Sequence, residues 1–386
     1  MRVFKLIFKN ALRHKLRTFL TVLGIAIAVM AFGLLRTVVT AWYVGVEASA
    51  ANRLITRHAV SFIFPLPLAY RDKIARVPGV ELVTYANWFG GVYIDKNQFF
   101  ARLAVDAENI FDATPEFLID QKELEAFKRE RNACIIGEQI AKNYNLKIGD
   151  VMPVDGDIYP GRWEFVVRGI YHPRNKTTDP SQMLFHWQYL DERMRQEAPI
   201  RAGQVGWYII RISNPDNSAA ISDQIDAQFK NSRAETKTET ERAFTQSFIS
   251  MSSAIINAMN FISFVIIGII LLVLGNTMVM SARERVREYA VLKTFGFSAI
   301  HLVGLIGGES LLISSLGGAI GLALTFPMTQ GFAASLPRGW FPIFNVEPIT
   351  IFLACSSALL VGVLAALFPI QRALSTRIAD GLRQIG

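Results

Sequence analysis

Two sets of residues are chemically out of keeping with their surroundings. The first is the run Arg283-Glu284-Arg285-Val286-Arg287-Glu288-Tyr289-Ala290-Val291-Leu292-Lys293-Thr294-Phe295-Gly296, which sets five charges in its first six positions between two long apolar stretches. On a short amphipathic helix, charges at this spacing beside Val291, Leu292 and Phe295 can dock into a groove of a partner and carry force from it. The plainer reading is that the charges hold a loop on one side of a membrane. That accounts for the arginines but does not require Glu284 and Glu288. The second is Glu309, the one acid in the apolar run 300–328. An acid at the centre of a membrane helix costs about 2.5–3.5 kcal/mol, so such a residue faces protein or water. A proton relay would need a basic partner inside the membrane, and Glu309 stands in its run as a lone carboxylate. A structural or coupling role is expected.

Other chemistry is missing from the pattern. His58, His172 and His186 form no i, i+4 ligand pair and have no carboxylate cluster of ligand spacing, and no G-x-S-x-G nucleophile motif occurs. No catalytic residue and no metal site is therefore expected. Cys134 and Cys355 are the only cysteines and lie far apart, which gives no disulfide framework. No Gly is followed by Lys, so the G-x-x-x-x-G-K-S/T phosphate cradle is absent and the chain cannot supply a standard ATP site. Trp88, Trp163, Trp187 and Trp207 could line an apolar groove, but buried aromatics of a β-rich domain are the commoner explanation.

These residues must be positioned by a membrane protein. Of 386 residues 51% are hydrophobic and only 19% charged, too apolar for an ordinary soluble enzyme. The net charge of +8 would suit nucleic acid, but the basic residues crowd beside apolar runs, so no nucleic-acid partner is expected. Four windows approach or exceed the roughly 20 apolar residues a spanning helix needs. They give spans at 18–40, at about 255–279 behind a helical stalk (together 243–280), at 300–328 and at 348–371. Lys and Arg crowd the segments 1–17, 281–299 and 372–386, while 329–347 has only Arg338. The positive-inside rule then places both termini and the loop 281–299 in the cytoplasm and residues 41–242 outside. A cleaved signal peptide at Ala48-Ser49-Ala50 is disfavoured because that site lies too far beyond the apolar stretch. Phe4, Ile7, Phe8, Leu12 and Leu16 alternate with the N-terminal charges, which predicts an amphipathic helix over 1–17 lying on membrane lipid.

The fold class expected is thus a membrane α-helical protein of four transmembrane helices with a large α+β extracytoplasmic domain inserted between the first and second. In that domain 58–64, 80–86, 163–171 and 205–212 read as strands, and 67–76, 121–131, 137–144 and 216–229 as helices. We divide it into a porter-like α/β unit at 41–96 and 155–242, sharing one sheet, and an inserted subdomain at 97–154.

The charged run, with Asn276-Thr277-Met278 before it, resembles the E-R-x-R-E-I-G-x-L-(K/R)-x-x-G signature of the MacB/FtsX-like permeases, the type VII ABC transporter superfamily that includes the lipoprotein-releasing permeases. Three further stretches are similar to that family in order: Arg17-Thr18-Phe19-Leu20-Thr21-Val22-Leu23-Gly24-Ile25 opening the first span, Glu309-Ser310-Leu311-Leu312 followed by Gly317, Gly318 and Gly321 in the third, and Pro369, Arg372, Ala373, Asp380, Leu382 and Arg383 in the tail. Tyr289 and Ala290 depart from the usual Ile-Gly. The resemblance covers the whole chain. It implies an ATPase-coupling set of Glu284, Arg285, Arg287, Glu288, Leu292, Lys293 and Gly296, and a transmembrane structural or coupling set of Gly24, Glu309, Gly317, Gly318 and Gly321. The glycines compete between packing within one subunit and a dimer interface.

The same resemblance implies a bacterial inner-membrane permease that is no enzyme by itself. Its cofactors, ATP and Mg, would sit on a separate cytoplasmic ABC ATPase. A second permease copy is implied, a homodimer being favoured and a heterodimer left open, together with a periplasmic adaptor and an outer-membrane duct. ATPase closure would move the coupling loop and the stalks, and the external domains would drive export or extraction of a lipoprotein, lipid, peptide or amphipathic drug. The alternative within the family is cell-division signalling that activates a murein hydrolase, although the external domain of that branch is typically smaller. Outside the family it is a membrane-anchored enzyme or sensor.

Overall fold

The computed structural model describes residues 2–96, 99–175, 177–335 and 344–375. Arg338 of the short loop and Arg377, Asp380, Leu382 and Arg383 of the tail lie outside the described residues. The chain divides into two compact units, one of residues 1–41, 253–335 and 344–386 and one of 42–252 and 336–343. In chain order the elements up to the middle of the second unit are α1 (Arg2–Ala11), α2 (Lys15–Ala48), β1 (Arg53–His58), β2 (Leu66–Pro67), α3 (Tyr70–Ile74), β3 (Val80–Trp88), β4 (Ala101–Val105), α4 (Ile110–Ala113), β5 (Phe117–Leu118), α5 (Gln121–Arg129), β6 (Ala133–Gly137), α6 (Glu138–Tyr144), β7 (Val151–Gly156) and β8 (Gly161–Pro173). Then follow β9 (Gln182–His186), α7 (Trp187–Glu197), β10 (Gln204–Val205), β11 (Trp207–Ile212), α8 (Ser218–Phe229), β12 (Thr236–Thr240), α9 (Glu241–Met251), α10 (Ser253–Glu284), α11 (Val286–Thr294), α12 (Ala299–Ser335) and α13 (Pro348–Ser375).

In the first unit α2, α10, α12 and α13 are each long and apolar enough to cross a membrane. Small residues on α12 set how closely they pack. A Cβ on Gly317 would stand 2.7 Å from the Ile25 side chain, one on Gly321 2.5 Å from the Ala26 carbonyl, and one on Gly318 2.8 Å from Ala358 Cβ. So α12 lies against α2 with one pair of glycines and against α13 with the glycine between them. The Ser310 hydroxyl adds a bond to the Gly362 carbonyl at 2.6 Å, a satisfied polar contact between α12 and α13. Gly24 differs, with nothing nearer to its missing side chain than Val273 Cγ1 at 3.9 Å. The amphipathic α1 is not laid only on lipid, since Ile7 packs on Gly308 of α12.

The second unit is built on one sheet in the order β12-β1-β11-β3-β4-β9-β6-β8-β5, with β7 on β8. β1 and β3 both run antiparallel to β11, and β11 and β12 both run antiparallel to β1. With α3 and α8 as crossovers this makes two interleaved split β-α-β units. Period-two burial drives the strands: along β8, Trp163, Phe165, Val167 and Tyr171 are buried while Arg162, Glu164 and His172 are exposed. Trp163, Trp187 and Trp207 are core residues, so they line no open groove.

Two expectations are corrected here. The segment 97–154 is no subdomain apart: β4 pairs with β3, β6 with β8 and β9, and β7 with β8, all in the common sheet. The first strand is Arg53–His58 and not 58–64, because its polar residues are satisfied by cross-strand and tertiary partners, Thr56 by the Thr238 hydroxyl at 2.8 Å and Arg53 by two carboxylates. The apolar Val60, Ile63 and Phe64 beyond it are exposed in a loop.

Candidate functional site

The helix α11 is short because both its ends are fixed by the chain itself. Arg285, in a non-helical conformation, breaks it from α10. At the other end Gly296 takes φ +81°, and Phe297 N–H bonds the Leu292 carbonyl while Gly296 N–H bonds that of Lys293, both at 3.1 Å. This is the double-bonded left-handed cap that a glycine permits without strain. Gly296 therefore shapes the turn into α12.

Arg285 and Glu309 form a buried ion pair, Nη1 to Oε2 at 2.8 Å, with side chains 4% and 6% exposed. The other fork of the guanidinium donates to the Asn10 carbonyl at 2.8 Å, and the Ser281 hydroxyl donates to Glu309 Oε1 at 3.3 Å. One planar side chain thus ties the end of α1, the joint between α10 and α11, and the interior of α12. An arginine suits this place because its rigid, permanently charged fork serves two acceptors in fixed directions. Around the pair lies a polar cavity of about 10 Å³ lined by His14, Arg17, Thr277 and Ser281 among others, the size of a single water. Tyr289 and Ala290 close the site from α11 and are both buried. Burial pushes the Tyr289 phenol up to about 12.

The remaining charges hold the outer edge. Glu284 accepts both forks of Arg17, at 2.6 and 2.9 Å, with His14 Nε2 3.4 Å away. The hydrogen bond from Arg17 holds the Glu284 carboxyl below the usual glutamate range. Glu288 accepts from Arg13. Lys293 donates to the carbonyls of Ala373 and Leu374, at 2.9 and 3.1 Å, and so binds α11 to the last turn of α13, where unpaired carbonyls favour a cation.

Two readings of the sequence are thereby corrected. Glu309 is not a lone carboxylate, since its basic partner comes from the coupling run. Arg285 does not face a partner protein, being 3% exposed. Of the charges in the run only Arg283 and Arg287 are exposed and outside the ion pairs described here. Leu292 is half-buried against the bundle core. What lies open instead is the turn after α11: Phe295 is 77% exposed, Phe297 44% and Ile300 76%. The partners Arg13 and Arg17 were missed because the N-terminal segment reads as lipid-facing. A signal was present, two arginines four apart opposite two glutamates four apart, which is the register of an antiparallel pair, 13 with 288 and 17 with 284.

The second unit holds a matching clamp where the chain enters and leaves it. Arg53, 4% exposed, binds Glu116 at 2.7 Å, Glu241 at 2.9 Å and the Ala113 carbonyl at 2.8 Å. Glu241 Oε2 also accepts from Ala50 N–H at 2.7 Å. Glu241 opens α9, whose N-cap Thr240 accepts from Ala243 N–H. Residues 50–53 and the start of α9 are thus joined through one carboxylate.

Four helices long and apolar enough to cross a membrane, a large α/β domain between the first and second, and a charged helix between the second and third are the architecture of a membrane protein. The comparisons agree over both halves of the chain. The MacB-like periplasmic core domain matches residues 18–228, and the FtsX-like permease C-terminal domain matches residues 260–378. The chain belongs to this family of ABC transporter permeases. It is not itself an enzyme, and it works with an ATPase subunit. An uncharacterized ABC transporter permease of Methanocaldococcus jannaschii is 21% identical over 97% of this chain and 96% of its own length. An uncharacterized ABC transporter permease protein of Mycobacterium tuberculosis is 22% identical over 68% of this chain but only 30% of its own length. Among solved structures, the extracellular domain of the noncanonic ABC-type transporter YknZ from Gram-positive bacteria aligns with 49% of this chain and 100% of its own, at 10% identity and a TM-score of 0.37. A domain of a putative permease protein from Porphyromonas gingivalis aligns with 50% of this chain and 92% of its own, at 12% identity and a TM-score of 0.36.

Proposed function

We propose that a cytoplasmic ABC ATPase, carrying the ATP and Mg, docks on the exposed turn Phe295–Ile300 with Arg283 and Arg287, while Glu284, Arg285, Glu288 and Lys293 pass its motion to the helices. The observation behind this is the division of labour within the run. Its acids, Arg285 and Lys293 are spent on α1, α2, α12, α13 and the turn before α2, and its apolar end is left open at the surface. A groove on a partner takes apolar side chains at its centre and arginines at its rim. The termini and this loop are then cytoplasmic and the α/β domain periplasmic, in the inner membrane of a bacterium.

The work done is export or extraction of an amphipathic substrate such as a lipoprotein, lipid, peptide or drug, handled by the external domain and not through a channel between the spans. A second copy of the permease completes the machine, with a periplasmic adaptor and an outer-membrane duct receiving the substrate. The MacB-like match to the external domain favours export over cell-division signalling.

The test is recovery of the ATPase. The tagged full chain is purified gently from its own membranes and its companions are identified by mass spectrometry. The wild type is expected to bring an ABC ATPase, and Phe295→Asp with Phe297→Asp to lose it while inserting normally. Equal recovery of the ATPase by both chains would refute the docking surface, and its absence from the wild type would refute the reading as a whole.

A further inference from the structure

The cavity bounded by α2, α10 and α13 has a chemistry of its own. It encloses about 430 Å³, within the range of small-ligand sites, and Arg36 is the only charged side chain in its lining among the described residues. Arg36 Nη1 donates to Asn260 Oδ1 at 3.2 Å, a neutral acceptor, and its Nε is buried without a partner. No carboxylate pairs with it among the described residues. Arg36 sits four residues inside the end of the span at 40, so its guanidinium could have turned to the interface, about 6 Å away along the helix. It is turned into the cavity instead. A cation kept at that depth without a counter-charge is costly, and an anion arriving from outside the chain would remove the cost.

The walls are ordered along the membrane normal. Arg36 and Asn260 lie on the halves of α2 and α10 nearer in sequence to residues 42–252. Phe32 lies one turn deeper on α2, and Ile267 about 10 Å deeper than Asn260 on α10. Ser263, Ser356 and Ser357 already donate to carbonyls of their own helices, so they add no competing donors. Two wall residues, Phe264 at 73% and Leu360 at 54% exposure, lie on the outside of the bundle, where hydrocarbon would meet them. The site is thus polar and cationic about one helical turn inside the end of the span, apolar further in, and open sideways to lipid.

We propose that this cavity binds one anionic phospholipid of the leaflet at that end of the spans, its phosphate on Arg36 and Asn260 and an acyl chain along Phe32, Ile267 and Leu360. The occupant is a lipid of the surrounding membrane because the opening faces hydrocarbon and the order of polar and apolar walls matches a lipid standing in its own leaflet.

The experiment uses the full chain, delipidated in mild detergent and titrated with phosphatidylglycerol or with diacylglycerol of the same chains, occupancy being read by native mass spectrometry. One phosphatidylglycerol per chain is expected, bound at least tenfold more tightly than diacylglycerol. Arg36→Gln should weaken it at least tenfold and Arg36→Lys should keep most of it. Ser357→Phe, which retains the arginine and fills the cavity, should also lose the lipid, and it carries the test if Arg36→Gln does not fold. Unchanged phosphatidylglycerol binding by Arg36→Gln or by Ser357→Phe, or equal binding of diacylglycerol, overturns the proposal. If Arg36→Gln instead leaves lipid binding intact and separates two copies of the chain, the occupant is a second copy.

Discussion

Replacing Glu309 by Leu should be the most damaging single change in the membrane unit. It leaves the Arg285 guanidinium, 4% exposed, without a carboxylate partner among the described residues and still bound to the Asn10 carbonyl. Breaking a buried pair from one side costs about 3–5 kcal/mol, because the remaining charge cannot return to water. Arg285→Leu should cost less, about 1.5–3 kcal/mol, since a carboxylate can neutralise itself by taking a proton while a guanidinium cannot. In the double variant neither charge remains. What is lost is then a partner for the Asn10 carbonyl and one for the Ser281 hydroxyl, about 1 kcal/mol each.

The cycle therefore predicts single costs near 4 and 2 kcal/mol, a double cost near 2 and a coupling of about 4 kcal/mol, above the roughly 0.5–3 kcal/mol usual for residues in contact because a buried guanidinium is left without its counter-charge. Thermal unfolding of the four chains in one detergent, with intrinsic fluorescence as the probe, measures it. A coupling below about 1 kcal/mol would refute the reasoning, because it is the value of a pair that water still reaches. The same four chains test the mechanical role separately. If the pair transmits motion and does not only stabilise, the double variant should fold, bind the ATPase and fail to couple hydrolysis to transport.

Gly321→Ala should destabilise the bundle by about 1–3 kcal/mol, because the new Cβ would meet the Ala26 carbonyl and Val29, whereas at Gly24 the new Cβ would make only an ordinary contact with Val273 at 3.9 Å, so Gly24→Ala should be neutral or stabilising by up to about 1 kcal/mol; thermal unfolding separates the two. Arg53→Met should cost about 2–3 kcal/mol, less than a fully buried pair because Glu116 and Glu241 are 24% and 21% exposed; limited proteolysis should then cut near residues 50–53 or 241. His186, buried with a ring nitrogen 2.6 Å from the Phe127 carbonyl, has its pKa lowered by burial. Below about pH 6.5 the unfolded chain therefore binds a proton that the folded one refuses, so stability falls as pH drops, by at most about 1.4 kcal/mol per pH unit, until the folded value is passed. Comparing unfolding of wild type and His186→Gln between pH 7.5 and 5 measures this, and equal slopes would contradict it.

The four apolar helices and the large α/β domain between the first and second were legible because each rests on a long local pattern, uninterrupted apolarity or period-two alternation, that needs no knowledge of what packs against it. What was not legible depends on distant partners. Arg53 and Thr56 looked too polar for a strand until Glu116, Glu241 and Thr238 were brought to them from 60 to 190 residues away. β4, β6 and β7 looked like an insertion because their charged helical neighbours hide strands that pair across the whole domain. Gly317 and Gly321 were recognised as small residues, but only the position of Ile25 and Ala26 shows that α2 of the same chain uses them. Arg285 was the hardest case. Its run looks uniformly solvated, and nothing local separates the arginine that turns inward from Arg283 and Arg287, which do not.

That difference changes what the charged run is for. Had every charge faced a partner, docking and transmission would have been one function of one surface, and any substitution would have weakened both. With Arg285, Glu284, Glu288 and Lys293 committed to the helices around them, the run is fastened to the bundle before any partner arrives. Under the proposed coupling, a load applied at Phe295 or Phe297 would move α11 as one piece and draw the helices with it, through the ion pairs and hydrogen bonds that tie the run to several of them. The two functions should therefore separate: changes at the exposed aromatic turn should abolish ATPase recovery without loss of thermal stability, and neutralising the inward pair should spare recovery while breaking coupling.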